Sequence, residues 1–286
     1  MNKQVAYVIG SNVSKSLSPK IFDYWFNKYN INATYGYKEI KETNFNKDIK
    51  KILNEDSLSG LNITIPYKER IINYLKKSDE HSELIGAVNF VTKTQDGYVG
   101  RNTDWIGFKE SIKWAEKNGK DKLEEKNTAV VIGYGGSAKA IVYSLSYMGF
   151  KNIRVFNRTY EKISKLKRAI PHKLEELENY FEEADLVVNT IPINYNKDIK
   201  LNLPTYPNSQ KKSLCGIGFD VVYNQRTFFN NYFPKNKHIN GLPMLVHQAI
   251  PCFEKWFGVK PEFDTPLYSL LISEVNTMLS EKWALK

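Results

Sequence analysis

The stretch Thr128-Ala-Val-Val-Ile132-Gly133-Tyr134-Gly135-Gly136-Ser137-Ala138-Lys139-Ala140 decides the reading of the fold. Thr128 to Ile132 is continuously apolar and of strand length, the pattern of a strand buried on both faces. Three glycines follow where that strand has to turn into a helix. Glycine allows a tight turn and lets backbone N–H groups approach a phosphate, and a helix N-terminus adds a field that favours negative charge. The same cluster also fits an ordinary tight turn between strand and helix, so the surrounding residues have to decide.

Working outward, Ile153-Arg-Val-Phe156 and Leu186-Val-Val-Asn189 repeat the buried-strand pattern with helical segments between them, and parallel βαβ units are the economical reading. The second strand ends in Asn157-Arg158-Thr159, with Lys162 one turn into the next helix. Dinucleotide folds place at this point the group that meets the adenosine ribose, an acid for NAD or a cation for the 2′-phosphate of NADP. No acid stands there, and the planar guanidinium of Arg158 suits a phosphate, so NADP is expected. A surface salt bridge is the plain alternative for Arg158.

Upstream, Val5 to Gly10, a helix from Ser18 to Asn30, and Ala33 to Ile40 give a βα rhythm; Gly60 to Pro66 leads into an amphipathic stretch from Tyr67 to Lys76. Ala87 to Thr94 and Gly97 to Gly100 read as a hairpin turning at Asp96-Gly97. A helical pattern runs from Asp104 to Gly119, a polar connector from Lys120 to Asn127, and two helices, Pro243 to Phe257 and Leu267 to Trp283, close the chain.

The 286 residues are 42% hydrophobic and 25% charged with 16 Gly and 11 Pro, which excludes disorder, collagen-like repeats and low-complexity architecture. The formal charge of +10 invites a nucleic-acid or anionic-membrane reading. However, the 41 basic residues comprise six Arg and 35 Lys scattered along the chain. Base readers lean on Arg and cluster their charge, so a solvated surface is expected and no nucleic-acid partner. Cys215 and Cys252 form neither a disulfide framework nor a metal-ligand pattern, so a reducing cytoplasm and no metal are expected. Met1-Asn2-Lys3-Gln4-Val5 carries no signal-peptide core, and no apolar run approaches the roughly 20 residues of a membrane span, so no membrane partner is expected.

Eight stretches in order carry a resemblance over nearly the whole length: Ser16-Leu-Ser18-Pro19, Gly60-Leu-Asn62-Ile-Thr64-Ile-Pro66-Tyr-Lys68, Gly86-Ala-Val-Asn89, Gly100-Arg-Asn102-Thr103-Asp104, the Gly133 turn, Asn157-Arg-Thr159, Phe219-Asp-Val-Val-Tyr223-Asn224, and Gly241-Leu-Pro-Met244-Leu-Val-His-Gln248. With these the chain resembles the shikimate dehydrogenase family. The resemblance implies an α/β protein of two domains. A mixed-sheet substrate domain spans residues 1–103, completed by the C-terminal helices 243–286, and a Rossmann-like NADP-binding domain spans 104–242. It also implies NADPH-dependent reduction of 3-dehydroshikimate to shikimate, in a monomer or homodimer.

Chemistry supports the implied residues. Reducing a ketone needs a hydride at the carbonyl carbon and a proton at its oxygen. Lys68, expected at the start of a helix after Pro66, would meet the positive end of a helix dipole and partial desolvation, both favouring release of its proton. Asp104 opens a helix, a setting that favours its charged form, and would orient Lys68. Alternation along Gly60 to Pro66 puts Asn62 and Thr64 on one face, suited to hydroxyls, with Leu61, Ile63 and Ile65 on the other.

By resemblance Ser16, Ser18 and Tyr223 take the substrate carboxylate, and Asn89 and Gln248 complete the hydroxyl contacts; Ser18 before Pro19 is also a good N-cap. The cofactor residues implied are Gly133, Tyr134, Gly135, Gly136, Ser137, Ala138, Asn157, Arg158, Thr159, Lys162, Thr190, Ile191, Val221, Gly241 and Met244, the last equally well placed for core packing.

Phe22 and Asp23 stand where the family usually has His-Asn, Asn189-Thr-Ile-Pro192-Ile-Asn194 departs on the nicotinamide side, Gln225 replaces a frequent Pro, and Pro251 should kink the Gln248 helix. Two alternatives stay open: a quinate/shikimate dehydrogenase using NAD, and a non-catalytic basic binding protein on the same fold.

Overall fold

The computed structural model describes residues 3–191 and 216–284. The chain divides into two units, Met1–Gly107 with Leu245–Leu271, and Phe108–Met244 with Ile272–Lys286.

The first unit is built on β1 (Gln4–Gly10), α1 (Ser18–Tyr29), β2 (Ala33–Glu39), α2 (Phe45–Leu53), β3 (Leu58–Ile63), β4 (Lys77–Ser78), α3 (Glu80–Ile85), β5 (Phe90–Thr94) and β6 (Gly97–Arg101). Its sheet runs β2-β1-β3-β5-β6-β4. Helical crossovers force β1, β2 and β3 parallel, whereas β5 pairs antiparallel with both β3 and β6, the β5–β6 hairpin closing at Thr94 opposite Gly97, and β4 adds a short parallel edge to β6. Gly97 takes the left-handed φ of 118° that this turn requires.

Spacing explains α1: Ser18, Ile21, Phe22, Trp25 and Phe26 are its buried residues, one face at intervals of three and four. That face packs on Phe253 and Trp256, with Phe22 also stacked on Tyr35. Leu61 and Ile63 point to the opposite layer, with Ile49, Ile52, Tyr67 and Ile71. Gly60 is needed for a close approach, since a Cβ there would lie 2.0 Å from Trp256 Nε1.

The second unit holds most of α4 (Asp104–Lys117), then β7 (Thr128–Ile132), α5 (Gly136–Tyr147), β8 (Asn152–Asn157), β9 (Ile170–Lys173), β10 (Leu186–Asn189), β11 (Ile217–Asp220), α6 (Phe229–Tyr232) and β12 (His238–Asn240). All described strands are parallel, in the order β12-β11-β10-β7-β8-β9. The order reverses at β7, so the glycine turn after β7 sits at the switch point where doubly wound sheets bind ligands. The closing helices are α7 (Leu242–Phe257), which runs through Pro251 as one element, and α8 (Thr265–Ala284).

Two local expectations need correction. Lys162 ends a 3₁₀ turn, Tyr160–Lys162, and the connection from β9 to β10 is likewise a 3₁₀ segment, Leu174–Asn179, instead of an α-helix. About a dozen residues join β8 to β9, the lower limit for a crossover, which leaves room for Ile163 to plug the core but none for a full helix. Similarly, the stretch after Pro66 forms a 3₁₀ helix, Arg70–Tyr74, and Lys68 lies in the turn before it. The helix-dipole argument for Lys68 therefore lapses, and its environment is set by neighbouring side chains. Pro192 to Asn194 lie outside the described residues.

Candidate active site

The candidate substrate residues of the first unit gather around one buried hub, Asn89. Its carbonyl caps the ladder between β3 and β5, and its side chain reaches three elements at once. The two N–H groups of Asn89 Nδ2 are shared among Thr103 Oγ1 at 3.0 Å, Asp104 Oδ1 at 2.8 Å and Gln248 Oε1 at 3.1 Å, while Oδ1 accepts from the Thr103 N–H at 2.7 Å. An amide with both sides engaged has a single orientation.

Lys68 Nζ donates to Asp104 Oδ2 at 2.5 Å, with both residues buried, at 6% and 5% exposure. Sequestering such a pair from water is costly unless its remaining valences are met. The second carboxylate oxygen is engaged by Asn89 Nδ2, and the Asp104 N–H donates to Asn102 Oδ1 at 3.0 Å, which fixes the start of α4. Asp104 opens α4, where the helix N-terminus favours its charge. The turn carrying Lys68 is stitched to the hub by the Val88 N–H, which donates to the Lys68 carbonyl at 2.7 Å.

Asn62, on β3 and buried, accepts from the Tyr35 hydroxyl at 2.8 Å and donates through Nδ2 to the Asn89 carbonyl and Cys252 Sγ. Thr64 follows β3 and is half-buried. Gln248 and Cys252 lie one turn apart on α7, and the Cys252 thiol donates to the Gln248 carbonyl at 3.3 Å. Burial pushes that thiol up to about 12, so it remains a protonated hydrogen-bonding group.

Ser16 Oγ donates to Ser18 Oγ at 3.2 Å and accepts from the Ser18 N–H. Ser18 is the first residue of α1 after Leu17 at the N-cap, which corrects the N-cap expectation: the Ser16 hydroxyl, one loop residue earlier, meets the orphan N–H. Asn102, Thr103, Tyr35 and Cys252 went unassigned from sequence. A run of short polar residues just before a helix marked the first two, while Tyr35 and Cys252 sit in apolar patterns that read as core.

In the second unit the candidate cofactor residues other than Met244 lie at or just beyond the C-terminal ends of parallel strands: Gly133 to Ala138 after β7, Asn157 at the end of β8 with Arg158 to Lys162 beyond it, Thr190 and Ile191 after β10, Val221 after β11, where the substrate candidate Tyr223 also lies, and Gly241 after β12. Gly133 has φ 93°, and a Cβ on it would stand 2.8 Å from Thr190 Oγ1. Gly135 caps α5 with no side-chain hydrogen bond, and a Cβ on it would meet nothing within 4 Å. Space is thus open in front of the α5 amides, which fits a phosphate group. Arg158 and Thr159 are exposed beyond β8, and Met244 is buried in this unit's core.

Below the sheet edge, Asp220 accepts from Asn189 Nδ2 at 3.1 Å, the Val222 N–H at 3.0 Å and the Thr227 hydroxyl. These bonds shape the loop bearing Val221 and Tyr223. Burial nevertheless outweighs them and pushes the Asp220 carboxyl up to about 6.

The family model for the shikimate dehydrogenase substrate binding domain matches residues 8–91, and that for shikimate / quinate 5-dehydrogenase matches residues 114–195. A shikimate dehydrogenase (NADP(+)) of Pelagibacter ubique is 33% identical over 281 residues, 94% of this chain and 99% of that protein. The crystal structure of shikimate dehydrogenase from Thermotoga maritima matches with a TM-score of 0.75 at 31% identity, over 95% of this chain and 99% of that one. Shikimate 5-dehydrogenase from Thermus thermophilus, in complex with NADP(H) and shikimate, matches with a TM-score of 0.74 at 25% identity, over 96% and 100% of the two chains. Matched in both sheets and along nearly its whole length, the chain belongs to the shikimate dehydrogenase family.

Proposed function

We propose that this chain is an NADP-dependent shikimate dehydrogenase, an oxidoreductase that reduces 3-dehydroshikimate to shikimate and runs in reverse, on the pathway to chorismate and the aromatic amino acids. The observation that carries the mechanism is the buried Lys68–Asp104 pair, oriented by Asn89 and flanked by Gln248.

The Gly133 turn and Arg158 would hold NADPH, which would supply the hydride. The Lys68 ammonium gives its proton to the ketone oxygen as the carbonyl carbon is reduced. Asp104 holds that ammonium in line through Oδ2 and accepts from a substrate hydroxyl. In the oxidative direction the neutral Lys68 amine takes the hydroxyl proton back. Ser16 and Ser18 receive the carboxylate, and Asn62, Thr64, Asn89 and Gln248 receive the ring hydroxyls. A polyhydroxylated acid needs this density of short polar groups, each replacing a hydrogen bond lost from water.

The enzyme works in the cytoplasm as a monomer or homodimer, the two separated by sedimentation velocity; the absence of any cysteine-pairing pattern supports the compartment. The deciding assay follows NADP⁺ reduction with shikimate and quinate side by side, and repeats it with NAD⁺. Turnover is expected with shikimate and NADP⁺. Equal or faster turnover with NAD⁺ overturns the role of Arg158, and preference for quinate overturns the substrate.

A further inference from the structure

Tyr35 lies on β2, outside the eight stretches that carry the resemblance, and it is 5% exposed. Its hydroxyl donates to Asn62 Oδ1 at 2.8 Å. Asn62 in turn donates through Nδ2 to the Asn89 carbonyl at 3.2 Å. The donors therefore point one way from Tyr35 through Asn62 to Asn89, an arrangement in which each bond polarises the next.

The ring is fixed as firmly as the hydroxyl. It stacks on Phe22 with centroids 3.8 Å apart and planes 13° apart, and Trp256 lies 6.3 Å away. Burial raises the phenol well above its usual range, so it remains a donor throughout the working pH range.

We propose that Tyr35 is a positioning residue for substrate recognition: its buried hydroxyl fixes the amide of Asn62, assigned to the ring hydroxyls of the substrate, in one orientation. The inference rests on that assignment. Because Tyr35 takes Asn62 Oδ1, Nδ2 is turned to the Asn89 carbonyl and Cys252 Sγ. Phe22 serves it by supplying a flat apolar surface beneath the ring.

The test is Tyr35→Phe, which deletes the hydroxyl and keeps the ring. KM for shikimate is expected to rise by about threefold or more, with kcat and the KM for NADP⁺ each staying within about twofold. A KM for shikimate that moves less than threefold overturns the inference, as does a parallel change in all three constants, the mark of general loosening. In an Asn62→Ala background the substitution is expected to add little, because its partner is gone, and full additivity also overturns the inference. Should Tyr35→Phe not fold, Phe22→Leu is read by the same criterion, since it unseats the ring and leaves the hydroxyl. A wild type that does not oxidise shikimate removes the parent reading and the inference together; an active wild type with an unmoved Tyr35→Phe KM removes the inference alone.

Discussion

Asn89 Nδ2 donates to Asp104 Oδ1 at 2.8 Å, on the carboxylate oxygen that Lys68 does not use. The carboxylate is therefore held from both sides, and its plane is set before any ligand arrives. Replacing Asn89 with Ala should leave the ion pair formed but free to swivel. We expect kcat to fall by roughly 10- to 100-fold, in line with the sensitivity of catalysis to small misplacements. Steady-state kinetics at saturating NADP⁺ checks this.

Lys68→Ala removes the proton donor. General acid catalysis contributes roughly 10²- to 10⁴-fold, and kcat should drop by that amount in both directions of reaction. The variant also strands Asp104 in a buried position, so a lower Tm is expected alongside. Near-wild-type turnover in a folded Lys68→Ala protein would rule out the assigned mechanism.

The first two glycines of the turn after β7, Gly133 and Gly135, should respond differently to the same added methyl. Gly133→Ala meets both a left-handed φ of 93° and the Thr190 hydroxyl, so it should lower stability by about 1–3 kcal/mol. Gly135→Ala meets nothing within 4 Å and has an ordinary φ of −103°, so its melting temperature should stay near wild type. Its KM for NADP⁺ should rise at least about tenfold, because the new methyl occupies the space assigned to a phosphate. Thermal melts and cofactor titrations separate the two.

Arg158→Ala should raise the KM for NADP⁺ by about 10- to 100-fold, the range expected for losing charge-assisted hydrogen bonds to a phosphate. The KM for NAD⁺ should change little. An equal loss for both cofactors would assign Arg158 to something other than the 2′-phosphate.

Two groups in the second unit, the buried Asp220 and the half-buried His238, oppose each other in acid. Asp220, raised from 3.8 to about 6, binds its proton more tightly folded than unfolded, so its contribution to stability is lost as pH rises from about 4 to about 6. His238, lowered from 6.5 to about 4 by burial and by the Lys120 charge, does the reverse: its contribution is lost as pH falls from about 6.5 to about 4. Each effect is on the order of 2–3 kcal/mol, so they largely cancel. Relative to wild type, Asp220→Asn should therefore gain stability as pH rises through that window, and His238→Gln should gain it as pH falls. Denaturant midpoints at pH 4.5, 5.5 and 7 measure both slopes.

Much of the architecture could be read from local pattern. Continuous apolar runs ending in glycine specified β7 and its turn, period-2 alternation separated Asn62 from Leu61 and Ile63, and the spacing of Ile21, Phe22, Trp25 and Phe26 specified α1, because each signal acts over a few residues. The local readings that failed were 3₁₀ segments, where a short chain must turn and anchor one apolar side chain. Helical spacing alone does not count the residues available for the crossing.

What the sequence by itself determined is the inventory of chemistry, Lys68, Asp104, Asn89, Gln248 and the glycine turn, together with the order of elements that carry them. Only the tertiary structure decided which atoms meet. Asn89 reaches Gln248 across 159 residues, and Tyr35 reaches Asn62 across 27, distances over which no periodicity carries information. Burial then gives those contacts their weight, since a polar group withdrawn from water must find its partner in the fold, and its choice of partner sets the geometry of the site.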